Sequence, residues 1–432
     1  MRVCPHPVWA TLVLMLAAVL SGTIRADDGQ PAPAVELAEV RVGVDEGDVR
    51  GGDQRALQAA IDYVAGLGGG TVRIGAGRYH MRNALVLRDN VKVVGVPGKT
   101  VLAACDGFRS PLAADGDCNE RQITVADPSG FRVGDGVAVA DSQAGGGFAV
   151  TTATIVGRAG PNTFRLSAPL YSDYLVSNKA RASLVFPVIG AWRVKNVLLE
   201  GLTVEGNRGK SEHLDGCRGG GIYLFECDTV TIRRCAVREY RGDGISFQVS
   251  RRVTVEECVA EKNGGLGLHP GSGSQAPVVR GNRSAGNDQD GLYLCWRVQG
   301  GVFERNELRD NKGNGISIGH KDTDNVFRDN VIVRNGGPGI LFRKESEAMG
   351  AHRNVFEGNR VLDNGAATNG GTARASIVVR GPHNDLVFRR NTIGHSGPAG
   401  GPGLLVSKAA RGLRSEGNTF TNAKPEMATG DE

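Results

Sequence analysis

The chain has 432 residues, a net charge of +5 and glycine at 64 positions, about twice ordinary usage. That length allows two or three ordinary domains or one elongated repeat domain, and 40% hydrophobic residues allow a sizeable core. The glycines follow no three-residue period, which excludes collagen, and the charge is too weak to argue for a nucleic-acid partner.

The first 26 residues read as a secretory signal peptide: Arg2 gives a positive start, TLVLMLAAVL (11–20) an apolar core, and TIRA a cleavage point after Ala26. The apolar run is too short to span a bilayer and no later stretch is apolar enough, so a secreted or periplasmic protein is expected. Loss of Arg2 and Arg25 lowers the charge from +5 to +3. Residues 27–44 read as a linker. Seven cysteines remain once Cys4 leaves, and in an oxidising compartment Cys105 and Cys118, flanking a loop, predict a disulfide. With no CxxC spacing, no structural zinc site is expected, and no metal ligand is assigned.

Residues 45–118 predict an N-terminal cap and the first coils of a solenoid. Asp53 is a good helix N-cap, and Leu57, Ala60, Ile61 and Val64 make one apolar face. Gly68–Gly70 ends that helix, and GGTVRIGAGRYHM reads as strand, turn, strand. Residues 119–190 alternate apolar and polar residues between Gly, Asp and Pro turns, which predicts a small antiparallel β insertion able to narrow a groove.

Residues 191–425 repeat, and 426–432 form a tail. Gly followed by Ile or Leu recurs at Ile222, Ile245, Leu268, Leu292, Ile316 and Ile340, in steps of 23, 23, 24, 24 and 24 residues. A second marker keeps phase with it: Cys235, Cys258, Asn282, Asn306 and Asn330, continuing at Asn359, Asn391 and Asn418. Each repeat is then one turn of a parallel coil, with turns about 4.8 Å apart. The aliphatic residues form an inward stack. The asparagines sit at a turn and bond their neighbours above and below.

This pattern, with the segment 51–96 ahead of it, resembles the right-handed parallel β-helix proteins of the pectate-lyase-like superfamily. The resemblance implies an all-β solenoid with an N-terminal capping helix. It does not fix the reaction, because that superfamily hosts polysaccharide lyases, epimerases, glycosidases and non-catalytic binders.

Strand alternation identifies the outward columns. The position after the anchor holds Tyr223, Ser246, His269, Tyr293, Ser317 and Leu341, and two positions on come Phe225, Gln248, Gly271, Cys295, Gly319 and Arg343. The next column carries Trp296, His320 and Lys344, followed by Arg297 and Lys321. Proton abstraction from a uronic acid needs a cation on the carboxylate, a base and an acid. Arg297, Lys321 and Arg343 are candidate neutralisers, and His269, Tyr293 and His320 candidate base and acid. Trp296, Lys344, Gln248 and Phe225 are candidate substrate contacts. Lyase or C5-epimerase chemistry on an acidic polysaccharide, by a monomer, is the leading expectation.

A polygalacturonase-like hydrolase is the first alternative. DGI (243–245), GISIG (315–319) and FRK (342–344) partly resemble that group, and Asp243 and Asp290 share a column two turns apart, about 9.6 Å. No adjacent Asp pair follows one turn after Asp243. The second alternative is a non-catalytic polysaccharide-binding protein with the same face. The acidic triplets 288–290 and 322–324 make Ca²⁺ the one cofactor to consider, with neither ligand pattern complete.

Overall fold

The computed structural model describes residues 37–143, 148–365, 375–397 and 400–430. The signal peptide expected over 1–26 lies outside the described residues. No helix among the described residues is long and apolar enough to cross a membrane.

The capping helix spans Gln54–Gly66. The Asp53 side chain accepts from the N–H groups of Arg55 (2.9 Å) and Ala56 (3.4 Å), and Leu57, Ala60, Ile61 and Val64 are its buried residues. Gly68 adopts φ +97°, a left-handed conformation that costs glycine little, and the chain leaves the helix there. The apolar face closes the open end of the coil over Val40, Val72 and Val91.

Beyond the cap the backbone winds through three parallel sheets of 13, 11 and 11 strands, and each coil gives one short strand to each sheet. Register follows the repeat: Ile222 pairs with Ile245, then Leu268, Leu292, Ile316 and Ile340 in succession. Every member of that column is buried. The asparagine column forms the expected ladder. The Nδ2 of Asn282, Asn306, Asn330, Asn359 and Asn391 donates to Oδ1 of the next asparagine at 2.9–3.0 Å. Each Oδ1 also accepts the N–H of the asparagine one coil earlier, so neither group is buried without a partner. Cys258 precedes this ladder and donates its N–H to Asn282. A second ladder, Asn263–Asn287–Asn311–Asn335–Asn364, runs beside it with the same geometry. Phe303, Phe327, Phe356 and Phe388 stack inside the coil, with ring centroids 4.5–5.0 Å apart.

A six-stranded antiparallel sheet, from Arg109–Pro111 to Arg181–Ser183, interrupts the solenoid. Its core is Ile123, Phe131, Val137, Ile155 and Phe164. The disulfide expected between Cys105 and Cys118 is absent: both are free thiols. Cys105 packs on the solenoid core, while Cys118 is exposed in the insertion, where its N–H bonds Asp173 at 2.8 Å.

Candidate functional site

The site lies on the outer side of the sheet that carries Ile222–Phe225, Ile245–Gln248, Leu268–Pro270 and Leu292–Tyr293. Residues 208–220, an excursion between coils, fold back across this face. Ser246 Oγ donates to the Gly216 carbonyl (2.6 Å), and Tyr223 OH donates to the Cys217 carbonyl (2.8 Å). The Cys217 N–H is held by Asp215 Oδ1 at 2.8 Å. Gly216 is required at this crossing, because a Cβ there would lie 1.7 Å from Asp243 Oδ2. Outward positions expected to face solvent are therefore covered: Tyr223, Ser246 and His269 are all buried.

Beneath the excursion, His269 Nδ1 bonds Asp243 Oδ2 at 2.7 Å, with both side chains about 4% exposed. The other Asp243 oxygen accepts the Leu266 N–H at 2.9 Å. Tyr293, one coil on, stands edge-on to the imidazole, ring centroids 5.4 Å apart. Cys217 and Cys295 complete the cluster, and the two sulfurs and a ring nitrogen of His269 lie within 4.8 Å of one another. A pocket of about 410 Å³ opens over these groups, lined also by Phe148 of the insertion, His213, Asp288, Asp290 and Lys312. The insertion thus contributes Phe148 to the wall of the pocket.

The electrostatics follow from burial and pairing. Burial alone pushes the His269 imidazolium down, but its bonds to Asp243 and Cys295 outweigh it and raise the pKa from 6.5 to about 10. His269 is therefore a cation at neutral pH rather than a free base. The Cys295 thiol is lowered, chiefly by its contact with Cys217 and also by His269. Burial raises the Tyr293 phenol to about 12, with the Arg343 guanidinium opposing. Burial also raises the Asp290 carboxyl, against hydrogen bonds from Asn314 to Oδ1.

The other candidates fall elsewhere. Arg343, a candidate neutraliser, is engaged beneath Tyr293. Its guanidinium lies 4.4 Å from the Tyr293 ring centroid and donates to Leu294 O, Cys295 O and Ser317 Oγ at 2.8–3.0 Å. Gln248 is buried behind His269, its amide nitrogen 3.5 Å from His269 Nε2, so it does not present a surface to a polymer. Phe225 pairs in register with Trp192 and does not line the pocket. Trp296 and His320 stack at 4.8 Å on the adjoining turn, where Arg297, His320 and Lys321 all have left-handed φ of 43–63°. His320 Nδ1 lies 2.8 Å from Glu345 Oε1, yet its pKa is lowered, first by burial. Lys321 and Lys344 are exposed.

The acids of both triplets have partners within the protein, and Asp290 accepts from Asn314. Asp322 is fully buried and accepts the N–H groups of Val298 and Gly319, and Asp324 pairs with Arg353. Asp288 pairs with Arg208 and Lys312. Sequence reasoning missed Cys217, which no periodicity places, and did not single out Cys295, although it stands in an outward column beside Tyr293.

Comparison with known proteins bears on the architecture. A family model for the right handed beta helix region matches residues 189–348. The protein is a right-handed parallel β-helix. The A-module of mannuronan C-5 epimerase AlgE4 from Azotobacter vinelandii superposes with a TM-score of 0.60 at 16% identity, covering 90% of this chain and 100% of that one. The AlgE6 A-module gives 0.52 at 16% identity with the same coverage. Among curated sequences, mannuronan C5-epimerase AlgE3 of A. vinelandii is 24% identical over 314 residues, 69% of this β-helix and 12% of the relative. AlgE2 is 24% identical over 334 residues, 74% of this chain and 24% of the relative. The β-helix thus spans a quarter or less of the length of those relatives. The pectate-lyase-like resemblance expected from the repeat holds for the fold.

Proposed function

We propose that this β-helix exchanges the C5 proton of uronate residues in an acidic polysaccharide, as a C5-epimerase does. The observation that carries the reading is the covered pocket in which Asp243-held His269, Tyr293 and Asp290 meet. The sequence likeness to mannuronan C5-epimerases over 69–74% of the chain supports it.

The C5 proton of a uronate becomes acidic only when the adjacent carboxylate is neutralised. In this pocket the buried positive charge belongs to the His269 imidazolium, since Lys312 in the lining is paired with Asp288, Arg343 is engaged beneath Tyr293, and Arg297 and Lys321 lie on the turn outside. Asp290 is the proton acceptor, because burial raises its carboxyl towards the range useful to a general base. Tyr293 is the proton donor: its phenol is neutral and held in place by His269 on its edge and Arg343 on its face. Asp243 positions His269. A hydrolase would need two carboxyls free to act, whereas both oxygens of Asp243 are taken.

The test is incubation with polymannuronate, polyguluronate and polygalacturonate in D₂O. Deuterium at C5 with inverted residues by NMR supports epimerase chemistry, and ultraviolet absorbance from unsaturated ends moves the assignment to a lyase. Reducing ends without either signal, or no change in any polymer, would sink the reading.

A further inference from the structure

We propose that Cys217, His269 and Cys295 form a Cys₂His site for a divalent cation of the zinc class, with its fourth position open to the pocket. Two thiols and an imidazole converge from three separate coils to within 4.8 Å. A tetrahedral ion with bonds of about 2.3 Å to sulfur sets two thiolates about 3.8 Å apart, so closure needs shifts of about an ångström. Sulfur and imidazole donors select zinc over Ca²⁺ or Mg²⁺, and two Cys with one His is a donor set that leaves a position for a substrate oxygen.

The surroundings are built for this. Asp243 holds His269 Nδ1 at 2.7 Å, which fixes the ring and leaves Nε2 as the ligand atom. A carboxylate behind a metal-binding histidine is the usual orienting partner. Asp243 is itself fixed by the Leu266 N–H. Cys217 sits on a backbone tied at three points to Asp215, Ser246 and Tyr223. On the Nε2 side, the buried Gln248 brings an amide nitrogen to 3.5 Å while its Oε1 has no partner, so polar demand there is unmet.

Two other uses of the thiols fit less well. A pair of thiols serving as proton carriers must flank a ring carbon, and sulfurs within 4.8 Å leave no room for one between them. A disulfide would leave His269 Nε2 and Gln248 Oε1 as they are. The ion's role depends on the reading above: it would stand where the uronate carboxylate needs a counter-charge, in place of the imidazolium, with Tyr293 and Asp290 unchanged. The site itself stands on the cluster alone.

The test needs no polysaccharide, so its failure is separate from failure of the C5 chemistry. The full chain, reduced and stripped with chelator, is titrated with Co²⁺. One equivalent should bind, with tetrahedral d–d bands and a thiolate-to-cobalt charge-transfer band, and Zn²⁺ should displace it. Cys217→Ser and Cys295→Ser should each weaken the charge-transfer band and lower affinity at least 10-fold, while Cys118→Ser, in the insertion, leaves both unchanged. X-ray absorption of the zinc-loaded wild-type chain guards against misfolded variants and should show two sulfur neighbours. Absence of tetrahedral bands, bands that survive Cys295→Ser, or a Cys217–Cys295 disulfide that forms in the presence of Zn²⁺ would overturn the proposal.

Discussion

Two patches of similar composition lie side by side on this solenoid. The pocket patch has His269, Tyr293, Asp243 and Cys295; the rim patch, on the following turn, has His320, Trp296, Arg297 and Glu345. In the first, residues 208–220 cover the face, His269 is 3% exposed and Asp243 holds its Nδ1. In the second, Trp296 is 43% exposed and Arg297 and His320 adopt left-handed φ. The two histidines consequently titrate in opposite directions, His269 upwards and His320 downwards. An outward column of polar residues is thus not yet a site. The excursion that covers it lowers the local dielectric and fixes the partners, and it is there that we propose the chemistry.

The comparison breaks most sharply at Tyr293. Tyr293→Phe removes the proposed proton donor and should lower C5 exchange by about 10²- to 10⁴-fold with little change in KM, measured by deuterium incorporation. An unchanged kcat would place the chemistry elsewhere. Next is Asp243→Asn, which leaves a bond to Leu266 N but loosens His269. Co²⁺ affinity should fall about 10- to 100-fold, followed by optical titration. Gly216→Ala forces a Cβ against the Asp243 carboxylate and should destabilise the fold by about 1–3 kcal/mol in urea denaturation. On the rim, Trp296→Ala should raise KM by only about 2- to 10-fold through lost stacking, seen in steady-state kinetics.

The smallest effect sharpens the contrast between the histidines. In metal-free protein, NMR titration should find His269 protonated through neutral pH and His320 neutral there. The sign for stability follows from linkage. Because the folded pKa of His269 is raised from 6.5 to about 10, its pairing with Asp243 contributes fully below pH 6.5 and fades as pH rises towards 10. Asp243→Asn should flatten the thermal-denaturation profile across that window, and an unaltered slope would argue against the paired cation.

Much of the architecture was legible because parallel pairing equates residue i with its counterpart one coil on. The helix face of Leu57, Ala60, Ile61 and Val64 follows from local pattern, and the aliphatic column from Ile222 to Ile340 and the ladder from Asn282 to Asn330 follow from a near-constant step, which inserted loops lengthen on the way to Asn418. The second ladder, Asn263 to Asn364, keeps phase with the first. Within the site, His269 and Tyr293 were legible as outward neighbours, since adjacent coils bring equivalent positions together.

The period dictated which residues share a column and which side of a strand they take, because hydrogen-bonded register leaves no other freedom. What lies over a column was settled only in three dimensions. Residues 208–220 have no period, and their path depends on bonds from Ser246, Tyr223 and Asp215 that no repeat encodes. The same holds for Arg343, drawn beneath Tyr293 by carbonyls of an earlier coil. A guanidinium satisfies its donors wherever oxygens are nearest, and that is a property of the folded neighbourhood, not of the column.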